Sequence, residues 1–535
     1  MHRLASGHNT TGTTTGSTYR VPVGSSPALG SRRCLQFCQP ELVEPTLCAS
    51  VRLLDLAKPF VSLLPEVEFP YQKIGFDEKI VYTVASVAVY LLASLPLSNV
   101  SQGRLADPFT WLRTPFASQA GTALEFGLLP IVTAGFLWQI LAGLKIVKVS
   151  FESRTDRELF QSWQKLTAVL IAVVYSVLLT FAGYFDPVDQ FTSQESVPIW
   201  GRLTYIVQLS FMALITALLV ELLDKGYGFG PGILALSTAW SATQFATSFV
   251  GITTSVTSRG WESHGALVQL IRNIRNKSFG LAIYEAFTRE NLANLTQIYI
   301  ALAALGVAIY FGNCRVDIPI KSAKVRSMAS VYPIKLLYCG ALPLVFTYAV
   351  LYNLNIIGFA VTRIFNTAPF AKYIGQWKLD EFTSSTYNLT CGFLYFISAS
   401  PKNISPIHLL VRPITFSLFT VIVSVLFAKS WSNISGSSGR DLAKQFKEQD
   451  ISMIGHRDTA VGKELGKIIP VAATTGALIV AGVTSVAEGF GLSNGLAVGV
   501  LIGVLSALTL LESVMTEFQQ SGGMGSQFGQ LFQQR

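Results

Sequence analysis

The sequence predicts an all-α polytopic membrane protein that crosses the bilayer about ten times. Half of its 535 residues are hydrophobic and only 13% are charged, whereas soluble domains carry about 25% charged residues. The mean hydropathy is +0.46. Apolar runs long enough for helices that cross about 30 Å of hydrocarbon recur along the chain, and a helix satisfies its backbone hydrogen bonds within such a run. A soluble globular fold is therefore excluded.

The apolar runs define the predicted spans. The stretch 389–398 is also apolar, but it is too short to cross the bilayer and is assigned to a loop. Ten spans divide into two halves of five, and an odd number per half relates the halves by inverted topology. The spans are predicted at residues 80–97, 126–146, 165–184, 200–223, 231–252, 292–312, 334–361, 413–430, 467–487 and 492–514.

The predicted domains follow from the spans. Residues 1–50 are rich in Ser, Thr and Gly and contain no acidic residue before Glu41. This composition fits either a transit peptide or a disordered or mis-annotated extension, and we favour the extension. The remaining parts are a cytosolic N-terminal segment at 51–79, the N-terminal half at 80–252, a lumenal loop at 253–291, the C-terminal half at 292–515 and a cytosolic tail at 516–535.

The net charge of +9 comes largely from short loops, where basic residues orient a membrane protein. The basic loops 145–165, 315–335 and 429–467 share one side of the membrane if there are ten spans. That side and both chain ends are predicted to be cytosolic. The loop 253–291 opposes this orientation, although its length and its acidic residues weaken the objection. It places five basic residues on the other side: Arg259, Arg272, Arg275, Lys277 and Arg289.

No catalytic signature of the HExxH, GxSxG or Walker A type is present. The glycine-rich segment 226–232 joins two spans instead of following a strand, so it is interpreted as a tight turn whose glycines accept positive φ values. The six cysteines lack metal-ligand spacing. We therefore predict neither an enzyme nor a metal site.

Ionisable residues avoid the middles of the predicted spans. Ion-coupled transporters place such groups near the bilayer centre, where they are costly and functional. Their absence from this sequence argues against a transporter of that class. The mild polarity that remains inside the spans fits either helix packing or the lining of a pore.

Two loop segments have a distinctive chemistry. The segment 106–113 is too polar to span, and Asp107 can cap a short helix that has Pro108 at its first position. That helix would be either interfacial or re-entrant and buried in protein.

Residues 435–449 are predicted to form a turn followed by an amphipathic helix, and a basic tip follows at 455–458. The tip fits a solvated loop or a contact with RNA phosphates.

Several collinear motifs resemble the alpha subunit of the eukaryotic SecY translocon family. The resemblance covers about residues 51–520, and the tail EFQQSGG at 517–523 is closer to the fungal Ssh-type paralogue than to the principal channel. The motifs include RLLDLAKPFVSLLPEVEFP at 52–70, DPFTWLR at 107–113, LEFGLLPIVTAG at 124–135, ELLDKGYGFGPGI at 221–233, RVDIPIKSAKVRS at 315–327 and SGSSGRDLAKQFKEQ at 435–449.

The resemblance implies a protein-conducting channel of the endoplasmic reticulum membrane, with an hourglass pore between two five-helix halves. Residues 107–118 would form the plug that closes the pore, with Asp107, Trp111 and Arg113 as its key residues. From periodicity alone, the apolar residues of the implied pore ring would be ordinary packing. The ring residues implied by matching positions are Leu128, Val132, Ile233, Ser237, Val345 and Ile502.

The resemblance also implies a lateral gate between the second and seventh spans, with Asn353 as its polar element. Ribosome-binding positions are implied at Lys324, Arg326, His456 and Arg457. The implied partners are small beta- and gamma-type subunits, the ribosome, signal sequences, nascent chains and the lipid membrane, and no cofactor is implied. A small-molecule secondary transporter and an insertase or scaffold without a pore remain the alternatives.

Overall fold

The computed structural model describes residues 59, 64–98, 100, 106–147, 149, 153–186, 197–257, 260–289, 292–322, 329–365, 369–379, 387–398, 406–434, 438–454 and 458–520. Residues 1–50, predicted to be an extension, lie outside these ranges. Within the described ranges, every predicted span overlaps an α-helix over most of its length. The predicted all-α membrane fold is therefore confirmed, with small sheets added in its loops.

The N-terminal half contains five long helices and one short one. These are α1 (Phe76–Leu92), the short α2 (Thr110–Arg113), α3 (Leu129–Gly143), α4 (Arg154–Phe181), α5 (Ile199–Leu222) and α6 (Gly232–Val250). Between α5 and α6 the chain makes the predicted tight turn, in which Gly226 has a φ of 96° and Gly230 a φ of 64°. Only glycine adopts such angles at little cost.

The loop that follows α6 is folded. It contains an antiparallel hairpin of β1 (Thr254–Thr257) and β2 (Gly260–Ser263), followed by α7 (Ala266–Asn276) and α8 (Phe279–Thr288). The next helix, α9 (Leu295–Asn313), begins with a capping box in which Asn294 and Gln297 satisfy each other's backbone N–H groups.

The C-terminal half continues with five long helices, counting α9, and short elements between them. The further elements are β3 (Arg315–Ser322), β4 (Ala329–Lys335), α10 (Leu342–Ile364), α11 (Pro369–Ile374), β5 (Gln376–Leu379), β6 (Tyr387–Cys391), α12 (Phe393–Ile397), α13 (Pro406–Ile434), α14 (Gly439–Glu448), β7 (Ile451–Met453), α15 (Asp458–Gly489) and α16 (Leu496–Gln520). The stretch 389–398 is divided between β6 and α12 and does not span, as predicted.

Seven helices in the described part of the chain are long and apolar enough to cross a membrane: α4, α5, α9, α10, α13, α15 and α16. Helices α1 and α3, with 17 and 15 residues, are shorter. Helix α6 has 19 residues and carries several Ser and Thr side chains. The largest apolar core draws residues from α1, α3, α6, α10 and α16, so the long helices of both halves pack around one interior.

The predicted seventh span starts too early. Residues 334 and 335 belong to β4, and α10 begins at Leu342. Strands β4, β3 and β7 form an antiparallel sheet whose Ile318, Ile320 and Ile334 pack against Phe446 of α14. Residues of a half-buried strand are as apolar as the start of a span, so the sequence does not separate the two.

Candidate site at a closed apolar constriction

One apolar cavity of about 150 Å³ lies where α3, α6, α10 and α16 meet. All six residues predicted for the pore ring line it: Leu128 and Val132 at the start of α3, Ile233 and Ser237 on α6, Val345 on α10 and Ile502 on α16. Five of the six side chains are apolar. Such a ring excludes water and ions, yet it contains no fixed bonds that a passing chain would have to break.

A second cavity, of about 280 Å³, adjoins the first and shares four lining residues with it: Ile131, Gly135, Gln139 and Ile233. Its lining includes the charged residues Glu66, Lys165, Glu221, Asp224 and Lys225. Glu221 accepts from Lys165 at 2.5 Å and from Lys225 at 2.8 Å. The two cavities together therefore form a polar vestibule that leads to an apolar constriction.

Residues 107–118, which are predicted to be the plug and are called the plug segment below, form one wall of the cavity through Pro115 and Phe116. The prediction that Asp107 caps a helix starting at Pro108 is wrong. Helix α2 begins at Thr110 and lasts one turn, and a 3-10 turn follows at Thr114–Phe116. Asp107 instead accepts a hydrogen bond from the N–H of Phe109 at 3.0 Å, and its other carboxylate oxygen accepts from Arg113.

A buried ionic cluster holds the plug segment. Arg113 Nε lies 2.6 Å from Asp107 Oδ2, and Arg113 Nη2 lies 2.5 Å from Glu125 Oε1. Arg113 also donates to the hydroxyl of Tyr184 at 2.9 Å. Burial alone would lower the pKa of Arg113, but the carboxylates of Asp107 and Glu125 raise it well above its usual value. The guanidinium therefore stays charged and bridges the two carboxylates.

The plug segment also packs closely against α10, α13 and the start of α16. The ring of Trp111 lies edge-on to Tyr348 and Phe416, with centroid separations of 6.2 and 6.1 Å. Gly495 has a φ of 84°, and a Cβ at this position would lie 2.4 Å from the carbonyl oxygen of Trp111. The start of α16 can approach Trp111 this closely only because residue 495 is a glycine.

Asn353 on α10 joins two helices of the other half. Its Nδ2 donates to Thr133 Oγ1 on α3 at 3.1 Å, and its Oδ1 accepts from the hydroxyl of Tyr175 on α4 at 2.5 Å. The amide therefore bridges α3 and α10, the second and seventh spans, at the place predicted for a lateral gate.

A family model described as SecY matches residues 122–511 of this chain. The chain belongs to the SecY family. The predicted family is thereby confirmed, and it is a family of protein-transport proteins.

Two curated SecY-family relatives match nearly the whole chain. The Sec sixty-one protein homolog of Saccharomyces cerevisiae is 37% identical over 493 residues, covering 89% of this chain and 97% of the relative. The protein transport protein Sec61 subunit alpha of Dictyostelium discoideum is 38% identical over 488 residues, covering 89% and 99%.

Solved structures agree with the fold. The idle yeast Ssh1 complex bound to the yeast 80S ribosome matches with a TM-score of 0.70 and 35% identity, covering 89% of this chain and 97% of that chain. A protein-conducting channel matches with a TM-score of 0.70 at 23% identity, covering 87% and 98%, and this likeness concerns the fold alone.

The four residues predicted to bind the ribosome, Lys324, Arg326, His456 and Arg457, lie outside the described residues. The strands that precede these positions, β3 and β7, lie within the described residues and pair with each other. In the antiparallel register of β3 and β7, Ile320 is opposite Met453 and Ser322 is opposite Ile451. The strands that lead into the two predicted docking loops therefore belong to one sheet.

Sequence reasoning did not select three residues that hold the plug segment: Glu125, Tyr184 and Gly495. Glu125 lies in the LEFGLLP motif, and its charge in an otherwise apolar motif is a signal that could have identified it. Nothing comparable distinguishes Tyr184 or Gly495. Their roles depend on contacts with Arg113 and Trp111, which are distant in sequence.

Proposed function

We propose that this chain is the channel subunit of a translocon in the endoplasmic reticulum membrane. It passes nascent secretory chains across the membrane and releases membrane segments sideways between α3 and α10. It works co-translationally with docked ribosomes, and small beta- and gamma-type subunits accompany it. Both chain ends face the cytosol in this proposal, so the vestibule beside Lys165 and Lys225 is the cytosolic entrance.

The convergence of the six ring residues on one apolar cavity carries this proposal. They come from four helices of both halves, and the plug segment forms one wall of the same cavity through Pro115 and Phe116. A closed constriction with a separate, ionically held segment at its side suits a conduit that seals at rest. A pore-less insertase or scaffold needs neither part.

The relatives support the same conclusion. The yeast Ssh1 complex, whose matching chain is 35% identical, was solved bound to a ribosome. A small-molecule secondary transporter would require a polar coordination site at mid-membrane. In this chain the constriction is apolar, and Ser237 is its one hydroxyl-bearing ring member. The observations therefore favour a passive conduit over a transporter.

Ion conductance in planar bilayers tests the proposed seal. The purified chain with its small subunits is compared with Leu128→Gln, which places an amide in the ring, and with the matched control Leu137→Gln on the same helix. Leu137 is exposed on the outside of α3 and does not line the cavity. We expect Leu128→Gln to raise the resting ion leak several-fold and Leu137→Gln to leave it unchanged. Equal leak in both variants contradicts the channel proposal.

A further inference from the structure

Helix α7, in the loop between α6 and α9, has its polar face turned inward. The residues it buries are Ala266, Gln269 and Asn273. Its exposed residues include Ile271 and Ile274, which are 61% and 42% exposed. A helix on a water-soluble surface buries its apolar stripe instead. Helix α7 is therefore reversed relative to a helix that faces water.

The inward polar face is fully organised. Gln269 Oε1 accepts from the N–H of Ser263 at 2.9 Å, and Gln269 Nε2 donates to Asn273 Oδ1 at 2.9 Å. Asn273 Nδ2 then donates to Glu285 of α8 at 3.1 Å. These contacts join β2, α7 and α8 into one unit with a polar interior. The polar side chains of this interior have hydrogen-bond partners there. The inward orientation of the polar face, and with it the outward orientation of the apolar face, is therefore fixed by these contacts.

Helix α8 extends the same apolar surface. It buries Ala282 and Ala286, whereas Phe279 and Tyr284 are each 66% exposed. The ring of Phe287 stacks on Tyr299 of α9, with centroids 6.3 Å apart and planes 15° apart. Helix α9 is a candidate membrane span of which only 22% is buried inside the protein. The surface of α8 therefore continues into a surface that faces lipid.

The charges on this loop fall into two groups. Lys277 lies 2.6 Å from Glu285, and Arg289 lies 3.2 Å from Glu262, so two of the five basic residues that oppose the predicted orientation are neutralised locally. Arg259 lies outside the described residues. Arg272 and Arg275 are exposed on α7, beside Ile271 and Ile274. Arginine beside an apolar face suits the boundary between acyl chains and lipid phosphates.

We propose that α7 and α8 lie in the headgroup region of the bilayer, at the face where α6 ends and α9 begins. Their apolar side chains enter the acyl boundary, and Arg272 and Arg275 bind phosphates of anionic lipids. Lipid is the partner, because the apolar surface of α8 is continuous with the lipid-facing surface of α9. The loop then anchors the protein at the membrane surface between its two halves.

Fluorescence quenching in vesicles tests this proposal with the full chain. Tyr284→Trp adds a reporter on the apolar face, and Asn276→Trp adds a matched reporter at an exposed position at the end of α7. The added emission is measured against the parent chain, without small subunits. We expect lipids brominated on the acyl chains to quench the reporter at position 284 several-fold more than the reporter at position 276. Aqueous iodide should give the opposite order.

A second comparison tests the arginines. Adding phosphatidylserine to phosphatidylcholine vesicles should increase the lipid quenching at position 284, and Arg272→Gln with Arg275→Gln should abolish that increase. Equal quenching at positions 284 and 276 overturns the proposal. Protection of position 284 from iodide that requires the small subunits also overturns it, because the occupant would then be a protein. Neither result bears on the ion leak of Leu128→Gln.

Discussion

Arg113 is one cation between two buried carboxylates, so the charges of the plug cluster do not cancel. Asp107, Arg113 and Glu125 are 6%, 5% and 1% exposed. Burial raises the pKa of Glu125, against the opposing effect of Arg113. Arg113 therefore holds the plug segment. Without Arg113, the carboxylates of Asp107 and Glu125 would repel each other in a buried site.

Removing Arg113 should release the plug segment. Losing one partner of a buried ion pair costs about 3–5 kcal/mol. We expect Arg113→Gln to raise the resting ion leak and lower the thermal midpoint far more than Glu125→Gln, which leaves Arg113 paired with Asp107. The defect should shrink as the pH falls, because protonation removes the repulsion between the carboxylates. Equal losses in the two variants, measured by conductance and thermal unfolding, contradict the cluster's proposed role.

Asn353 should set the balance between a closed and an open gate. Asn353→Ala removes the hydrogen bonds to Thr133 and Tyr175, and each such bond within a membrane is worth about 0.6 kcal/mol. We expect the open fraction to rise roughly fivefold, since about 1 kcal/mol corresponds to that factor. Disulfide crosslinking between cysteines introduced in α3 and α10 measures the change.

A neighbouring asparagine is the control for the gate prediction. Asn355 donates to the carbonyl of Leu351 in its own helix. Asn355→Ala should leave crosslinking between α3 and α10 unaltered. If it changes crosslinking as much as Asn353→Ala does, general loosening of α10 explains the result, and the bridging amide does not.

At the scale of elements, the plug segment depends on a close approach that a single methyl group would block. In Gly495→Ala, the new Cβ would meet the carbonyl oxygen of Trp111, and the positive φ adds about 1–3 kcal/mol of backbone strain. We expect a higher resting leak and faster proteolysis within residues 107–118. Gly306→Ala on α9 is the matched control, because a Cβ there meets no atom within 4 Å. An unchanged ion leak in Gly495→Ala would show that the close contact between Gly495 and Trp111 does not hold the plug segment.

The sequence predicts best the helices that coincide with one continuous apolar run. Helices α5, α6 and α9 begin and end within about three residues of their predicted ranges, because an apolar run within hydrocarbon must satisfy its own backbone hydrogen bonds. Helix α4 begins at Arg154, ahead of the predicted residue 165, since its first turns are helical but too polar to be recognised as span. Asp107 lies three residues ahead of α2 and its carboxylate binds Arg113, a pairing that local capping rules do not predict.

The sequence predicts which residues form the candidate site better than it predicts which residues they contact. The six ring residues come from matching positions in a family, and the structure places them on one cavity. Their function as a seal stays a prediction until conductance is measured. Asn353 was selected in the same way, whereas its partner Tyr175 lies 178 positions away in sequence. Periodicity identifies a face of a helix and does not identify the helix that the face meets.

For the whole molecule, docking on a ribosome should depend on charge at two loops. Arg326→Glu with Arg457→Glu should weaken ribosome binding and lower its salt dependence, by about one unit of slope for each RNA phosphate that the variant no longer binds. Lys372→Glu on the exposed α11, at the opposite end of α10 from β4, is the control. Co-sedimentation over a range of salt concentrations measures the slopes. Undiminished binding of the double variant contradicts docking at these loops.

The sheet of β4, β3 and β7 has a mechanical consequence. Strand β4 leads into α10, which bears Asn353, and β7 leads into α15, whose Leu465 and Ile469 belong to the apolar cluster beneath the sheet. A load applied to either loop is therefore shared by two membrane helices through backbone hydrogen bonds. Under the proposed function, a docked ribosome that displaced this sheet would also displace the start of α10, the helix that bears the predicted gate residue Asn353.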